Sequence, residues 1–342
     1  MTPGNGDALV ELRLARQQGS YSPRNRRVYG ASRACEPLGN AGSAASEGDA
    51  GRLGDGTSRD SAERERWNSA GCYPSLTSIA RSALPKVTSP REVIVPGYGC
   101  GWRARIGLIY PSSGKRDQEF QQLAPDGVSV HITRVALSDP ADLEHIGRMS
   151  ETQNLVAAAR LLADLQPDCI SWADTSGSFM FGPKGPTEQE NAIRQATAVP
   201  ASTTSTAVLL ALRRLGVRRV AVASPYIDEV NRKLVEFFTS HDLEIGRLRS
   251  LELSQEGAIH RAPPETVYRL ARAAWFDGAE ALFIPCTDFE AINLIHLLER
   301  NLGKPVVTAN QATMWHALRL AGVTDGVAGF GHLMEMDLPP AD

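Results

Sequence analysis

A short apolar run, ALFIP at residues 281–285, ends in Cys286-Thr287-Asp288. Such a run bounded by polar residues reads as a buried strand feeding a loop. Helical spacing follows over 290–301, so Thr287 or Asp288 is the expected N-cap. A thiol at a helix N-terminus has its thiolate favoured by unpaired backbone N–H groups. It can then serve as acid, base or nucleophile. The alternative is an inert buried thiol, the usual fate of a free cysteine. A second polar cluster, Asp174-Thr175-Ser176-Gly177-Ser178, follows the apolar run DCISWA at 168–173. Asp174 could act as a base or simply cap the turn. The hydroxyls of Thr175 and Ser176, and the phenol of Tyr226, could hold a carboxylate or a developing enolate. Pro111-Ser112-Ser113 ends a third run, RIGLIYP at 105–111, and Thr287 sits beside the cysteine; these four are further candidates for substrate binding.

The elements that must position these groups alternate. Strands are expected at 105–111, 128–137, 168–173, 199–203, 217–224, 244–253, 281–285 and 305–308. Helices are expected at 142–165, 187–196, 205–215, 227–240, 264–276, 290–301 and 311–321, with 174–178 a polar turn. Strand–helix alternation with short loops gives parallel sheets covered by helices. The rhythm runs twice, which predicts an α/β protein of two similar lobes, each a roughly four-stranded parallel sheet. The first lobe is expected over 102–212, completed by 310–336, and the second over 213–309. Ligands of such sheets sit at the carboxyl ends of strands, where these three polar clusters and a fourth, Pro225-Tyr226, fall.

Residues 1–90 contain one Ile, three Val and no Phe. A segment so poor in aliphatic residues cannot offset its chain entropy by burial. Residues 1–92 are therefore expected to be a disordered or spurious N-terminal extension. The chain of 342 residues is 42% hydrophobic and carries a formal net charge of −3, which gives no electrostatic case for nucleic acid. No apolar run reaches the length of a membrane span, and a cytoplasmic protein is expected. The five cysteines form no C-x-x-C pair and the seven histidines no metal-binding spacing, so no metal is expected. Gly182-Pro183-Lys184-Gly185 does not match a phosphate loop.

Four runs carry a resemblance: RIGLIYPSS (105–113), DTSGSF (174–179), TTSTAVLLALRRLGVRRVAVASPYIDEVN (203–231) and ALFIPCTDF (281–289). Together they resemble the aspartate/glutamate racemase superfamily, in its arylmalonate decarboxylase and maleate cis-trans isomerase branch. The resemblance covers about residues 101–333. It implies two pseudo-symmetric lobes, a site between them, no cofactor, and one reactive position per lobe. Cys286 matches the second position. The first is cysteine or glycine in the family and is Asp174 here. Thr175, Ser176 and Tyr226 match the decarboxylase residues that hold the carboxylate. Gly114 stands where isomerase-like members carry Asn.

The resemblance implies a small carboxylic or dicarboxylic acid as substrate. A racemase or epimerase would use Cys286 and Asp174 on opposite faces of it, through a carbanion or enediolate, whereas a cis-trans isomerase would add the Cys286 thiolate to a double bond through a thiol adduct. A decarboxylase would need only Cys286, to protonate an enediolate. A non-catalytic carboxylate-binding protein is the third expectation.

Overall fold

The computed structural model describes residues 100–137, 141–255 and 257–338. Residues 1–92, for which disorder was expected, lie outside the described residues.

Two four-stranded parallel sheets form the framework. The first contains β1 (Ala104–Pro111), β2 (Val128–Val135), β3 (Cys169–Trp172) and β4 (Ala201–Thr203), in the order β2-β1-β3-β4. The second contains β5 (Arg219–Ser224), β6 (Glu244–Ser250), β7 (Ala281–Ile284) and β8 (Val306–Thr308), in the order β6-β5-β7-β8. The second order repeats the first, so the doubled rhythm of the sequence is a doubled topology. Central β1 and β7 are apolar on both faces because helices cover both. Ile106, Leu108 and Ile109 in β1, and Ala281, Leu282 and Phe283 in β7, are fully buried. Edge strand β6 instead carries Glu244, Arg247 and Arg249, and is largely exposed or half-buried. Charges on an edge discourage pairing with another chain.

The helices, in chain order, are α1 (Gln118–Gln122), α2 (Leu143–Met149), α3 (Thr152–Ala163), α4 (Thr175–Phe179), α5 (Gly185–Thr197), α6 (Thr204–Arg214), α7 (Asp228–Thr239), α8 (Pro264–Ala274), α9 (Ile295–Leu302) and α10 (Ala309–Leu320). Helix α10 follows β8 of the second sheet but packs on α6 and β3, which belong to the first half. Its start is fixed by a capping box between Thr308 and Gln311, which satisfies two otherwise orphaned N–H groups. The Thr204 and Thr313 hydroxyls meet at 2.8 Å across the α6–α10 contact.

Three expectations are corrected. The helix expected over 142–165 is two, α2 and α3, broken at Ser150 and Glu151. The Ser150 hydroxyl donates to the Ile146 carbonyl (2.7 Å), and the Ser150 carbonyl accepts from Gln189 Nε2 (3.2 Å). These bonds take the place of helix continuation. Residues 174–178 are not an open turn: Thr175–Phe179 is a short helix capped by Asp174, whose side chain accepts from the Gly177 N–H. The helix expected from 290 begins later, with a 3₁₀ turn at Ile292–Leu294 ahead of α9. Residues 285–291 form a loop, held by tertiary bonds instead of intrahelical ones. The Thr287 carbonyl accepts from Tyr110 Oη (2.9 Å) and Asn310 Nδ2 (3.0 Å), and the Lys115 N–H donates to Asp288 Oδ1 (2.7 Å).

Candidate active site

The carboxyl ends of β1, β3, β5 and β7 deliver Pro111, Asp174, Tyr226 and Cys286 to one cavity of about 150 Å³. Tyr110, Ser113, Ser176, Gln255, Thr287 and Asp288 add to its polar lining, and Leu137, Ala141, Ile146 and Ile259 form an apolar wall. Two of the sequence candidates stand apart from that lining. The Ser112 side chain is exposed, and its Oγ accepts the Leu137 N–H at 3.0 Å. Thr175 is fully buried, and its Oγ1 accepts the Cys286 N–H at 3.2 Å. Thr175 thus ties the start of α4 to the cysteine across the two sheets.

Cys286 has a φ of +80°. Non-glycine residues rarely adopt such a backbone, which costs on the order of 1–3 kcal/mol and persists only where its surroundings enforce it. The bonds to Thr175, Tyr110, Asn310 and Lys115 are those surroundings. The thiol does not occupy a helix N-terminus, since the next helix starts at α9. Burial pushes it well above the ordinary thiol range, and the neighbouring carboxylates Asp288 and Asp174 push it further. The helix-stabilised thiolate expected from the sequence is therefore corrected to a thiol that holds its proton. Cys169 is buried within β3 and is likewise raised by burial.

Asp174 is only 8% exposed. Burial pushes its carboxyl up to about 6, against the opposing pull of the Gly177 N–H and the Ser176 hydroxyl. Both hydrogen bonds go to Oδ1, which leaves Oδ2 for proton exchange. The alternatives of cap and ionisable site group are not exclusive here, because Asp174 is both. Tyr226 points a buried hydroxyl beside Thr175 and Cys286, yet makes no well-formed hydrogen bond in the described structure. An orphaned buried hydroxyl costs stability, and a ligand oxygen in the cavity would satisfy it.

Sequence reasoning missed Tyr110, Asp288 and the apolar wall. Asp288 entered as a member of the Cys286 polar cluster and a possible helix cap, without a role in the site. The wall residues come from 137–146 and 259, loop and helix positions whose convergence has no local signal. Gly114, which also lines the cavity, has a packing reason. A Cβ there would lie 2.4 Å from the Tyr110 ring, so no side chain fits. No group of three metal-ligating side chains occurs among the described residues, and none of their helices is long and apolar enough to cross a membrane.

Two parallel sheets whose strand ends share a cavity holding one cysteine define the racemase-like class of α/β enzymes. The family model for arylmalonate decarboxylase matches residues 106–334, and the chain belongs to that family. It is 36% identical over 187 residues to arylmalonate decarboxylase of Bordetella bronchiseptica, covering 54% of this chain and 78% of that protein. It is 27% identical over 244 residues to maleate isomerase of Nocardia farcinica, covering 68% and 96%. A liganded double mutant of arylmalonate decarboxylase superposes with a TM-score of 0.63 at 32% identity, over 67% of this chain and 98% of that one. A Nocardia farcinica maleate cis-trans isomerase mutant with a covalently bound succinylcysteine intermediate superposes with a TM-score of 0.64 at 25% identity, over 68% and 98%.

Proposed function

We propose that this enzyme transfers protons at the carbon next to the carboxylate of a small carboxylic acid, as a cofactor-independent isomerase or racemase. The observation that carries this reading is the pair of ionisable groups held in opposite states in one cavity. Asp174 is a carboxylate above about pH 6, and the Cys286 thiol keeps its proton well beyond that. Groups whose surroundings push them apart in this way supply a base and an acid at the same pH. Asp174 would take the α-proton and Cys286 would deliver one to the opposite face. The charge that develops on the substrate carboxylate would be met by the unpartnered Tyr226 hydroxyl, helped by Ser113 and Thr287 of the lining, with Ser176 holding Asp174 and Thr175 fixing the cysteine. Pro111 closes the cavity at the end of β1. Ser112 has no part in this scheme, because its side chain faces solvent.

A protonated thiol also weighs against a mechanism that begins with thiolate addition to a double bond. Decarboxylation is the second reading, favoured by the family match and by the same protonated thiol, which could quench an enediolate left by loss of CO2. Incubating a panel of small carboxylic acids with the enzyme in D2O and following them by NMR separates the two. Deuterium at the α-carbon with inversion and no CO2 supports proton transfer. CO2 release from a malonate without exchange in simple acids would replace it with the decarboxylase reading.

A further inference from the structure

Asp288 brings a second carboxylate into the cavity, two residues beyond Cys286. Its Oδ1 is anchored by the Lys115 N–H at 2.7 Å, and its Oδ2 lies 3.7 Å from His260 Nδ1. Among the described residues, the cavity lining contains two carboxylic acids, Asp174 and Asp288, and no lysine, arginine or histidine. The nearby cations lie outside that lining. Arg116 pairs with Glu290 at 2.7 Å and donates to the His260 carbonyl at 2.8 Å. Arg134 donates to the Pro111 and Gly114 carbonyls and pairs with Asp117. Lys115 itself is exposed.

Asp174 is the base and its Oδ1 already takes the Ser176 hydroxyl, so the cavity offers neutral donors, Tyr226 foremost, to one carboxylate and leaves Asp288 as the acceptor for something else. A dicarboxylate would place its second anion near Asp288 with no lysine, arginine or histidine in the cavity lining to offset it, which costs free energy in a partly desolvated site. A substrate ammonium would instead find a carboxylate held ready by Lys115. Resting on the carboxylic-acid reading above, we infer that Asp288 is a specificity-determining residue that selects an amino-substituted monocarboxylic acid and rejects a dicarboxylic one.

Matched probes test this: phenylmalonate, phenylglycine and phenylacetate, which differ only in carrying a carboxylate, an ammonium or a hydrogen on the α-carbon, and their methyl counterparts methylmalonate, alanine and propionate. Affinities are measured by calorimetry at pH 8, where the charge of each probe is fixed, on the wild type and on Asp288→Asn. The Asn side chain still accepts the Lys115 N–H, so the loop keeps its anchor. The wild type should bind the ammonium acid more tightly than the plain acid, and the plain acid more tightly than the dicarboxylate. In Asp288→Asn the dicarboxylate should gain about tenfold and the ammonium acid lose about tenfold, the scale of one charge removed from a partly buried site. Acids that bind both proteins with unchanged order, or a wild type that prefers the dicarboxylate, would overturn the inference and leave the carboxylic-acid reading standing. If no acid of either set binds either protein, that reading falls and takes the inference with it.

Discussion

Asp174 and Cys286 divide the chemistry by the states their surroundings impose. Asp174 is raised by burial from 3.8 to about 6. A base must be ionised to act, so kcat/KM should be level above about pH 6. Below it, kcat/KM should fall about tenfold per unit as the carboxylate protonates. That acid limb should vanish in Asp174→Asn and persist in Asp288→Asn. For Cys286 the raised thiol predicts slow alkylation at neutral pH. Mass spectrometry of the Cys286 peptide should show an iodoacetamide rate that is still climbing at pH 10, where an ordinary thiol has levelled off. Substituting Cys286→Ala should abolish turnover. A plateau near pH 8.5 would mean that the thiol is not held protonated. Both residues were legible as candidates from their places after apolar runs. Their protonation states were not, because these depend on Asp288, on the depth of burial and on the late start of α9, none of which leaves a local pattern.

At the scale of elements, the site rests on loops fixed by long-range bonds. Strands and most helices followed from periodicity, but the 285–291 loop did not, since its partners Tyr110 and Asn310 lie 177 and 23 residues from Thr287. Behind this loop Glu119 of α1 is buried, accepts from Asn310 Nδ2 at 2.7 Å, and leaves Oε1 without a partner. Burial pushes its carboxyl from 4.5 up to about 8. The folded pKa lies above the unfolded one, so this group's contribution to stability is full below about pH 4.5 and is lost as pH rises through about 8. Glu119→Gln has the shape of the protonated acid and does not titrate. The variant should therefore match the wild type in Tm at pH 5, and exceed it increasingly up to pH 9 if Asn310 and the cysteine loop keep their places. A variant that loses Tm equally at both pH values would show that Glu119 is charged in the fold.

For the whole molecule, the doubled β-strand order was visible as a repeated strand–helix rhythm, because parallel central strands are apolar on both faces. The packing of α10 on the first half has no local signal, since nothing within residues 309–320 names its packing partner. The family match spans residues 106–334, and both sheets lie between Ala104 and Thr308. A chain beginning at Arg91 should accordingly fold with the Tm of the full chain and retain its kcat/KM. Loss of folding in that shortened chain would assign a structural role to the residues before it.

The central claim is that Asp174 and Cys286 serve opposite faces of one carbon, and single enantiomers of a turned-over acid test it in D2O. In the wild type, each enantiomer should exchange its α-proton and invert. Asp174→Asn should lose exchange of one enantiomer by about 10² or more, the usual scale for removing a positioned base, and Cys286→Ala should lose exchange of the other. An Asp174→Asn enzyme that exchanges both enantiomers at wild-type rates, together with CO2 release from malonates by the wild type, would contradict the account.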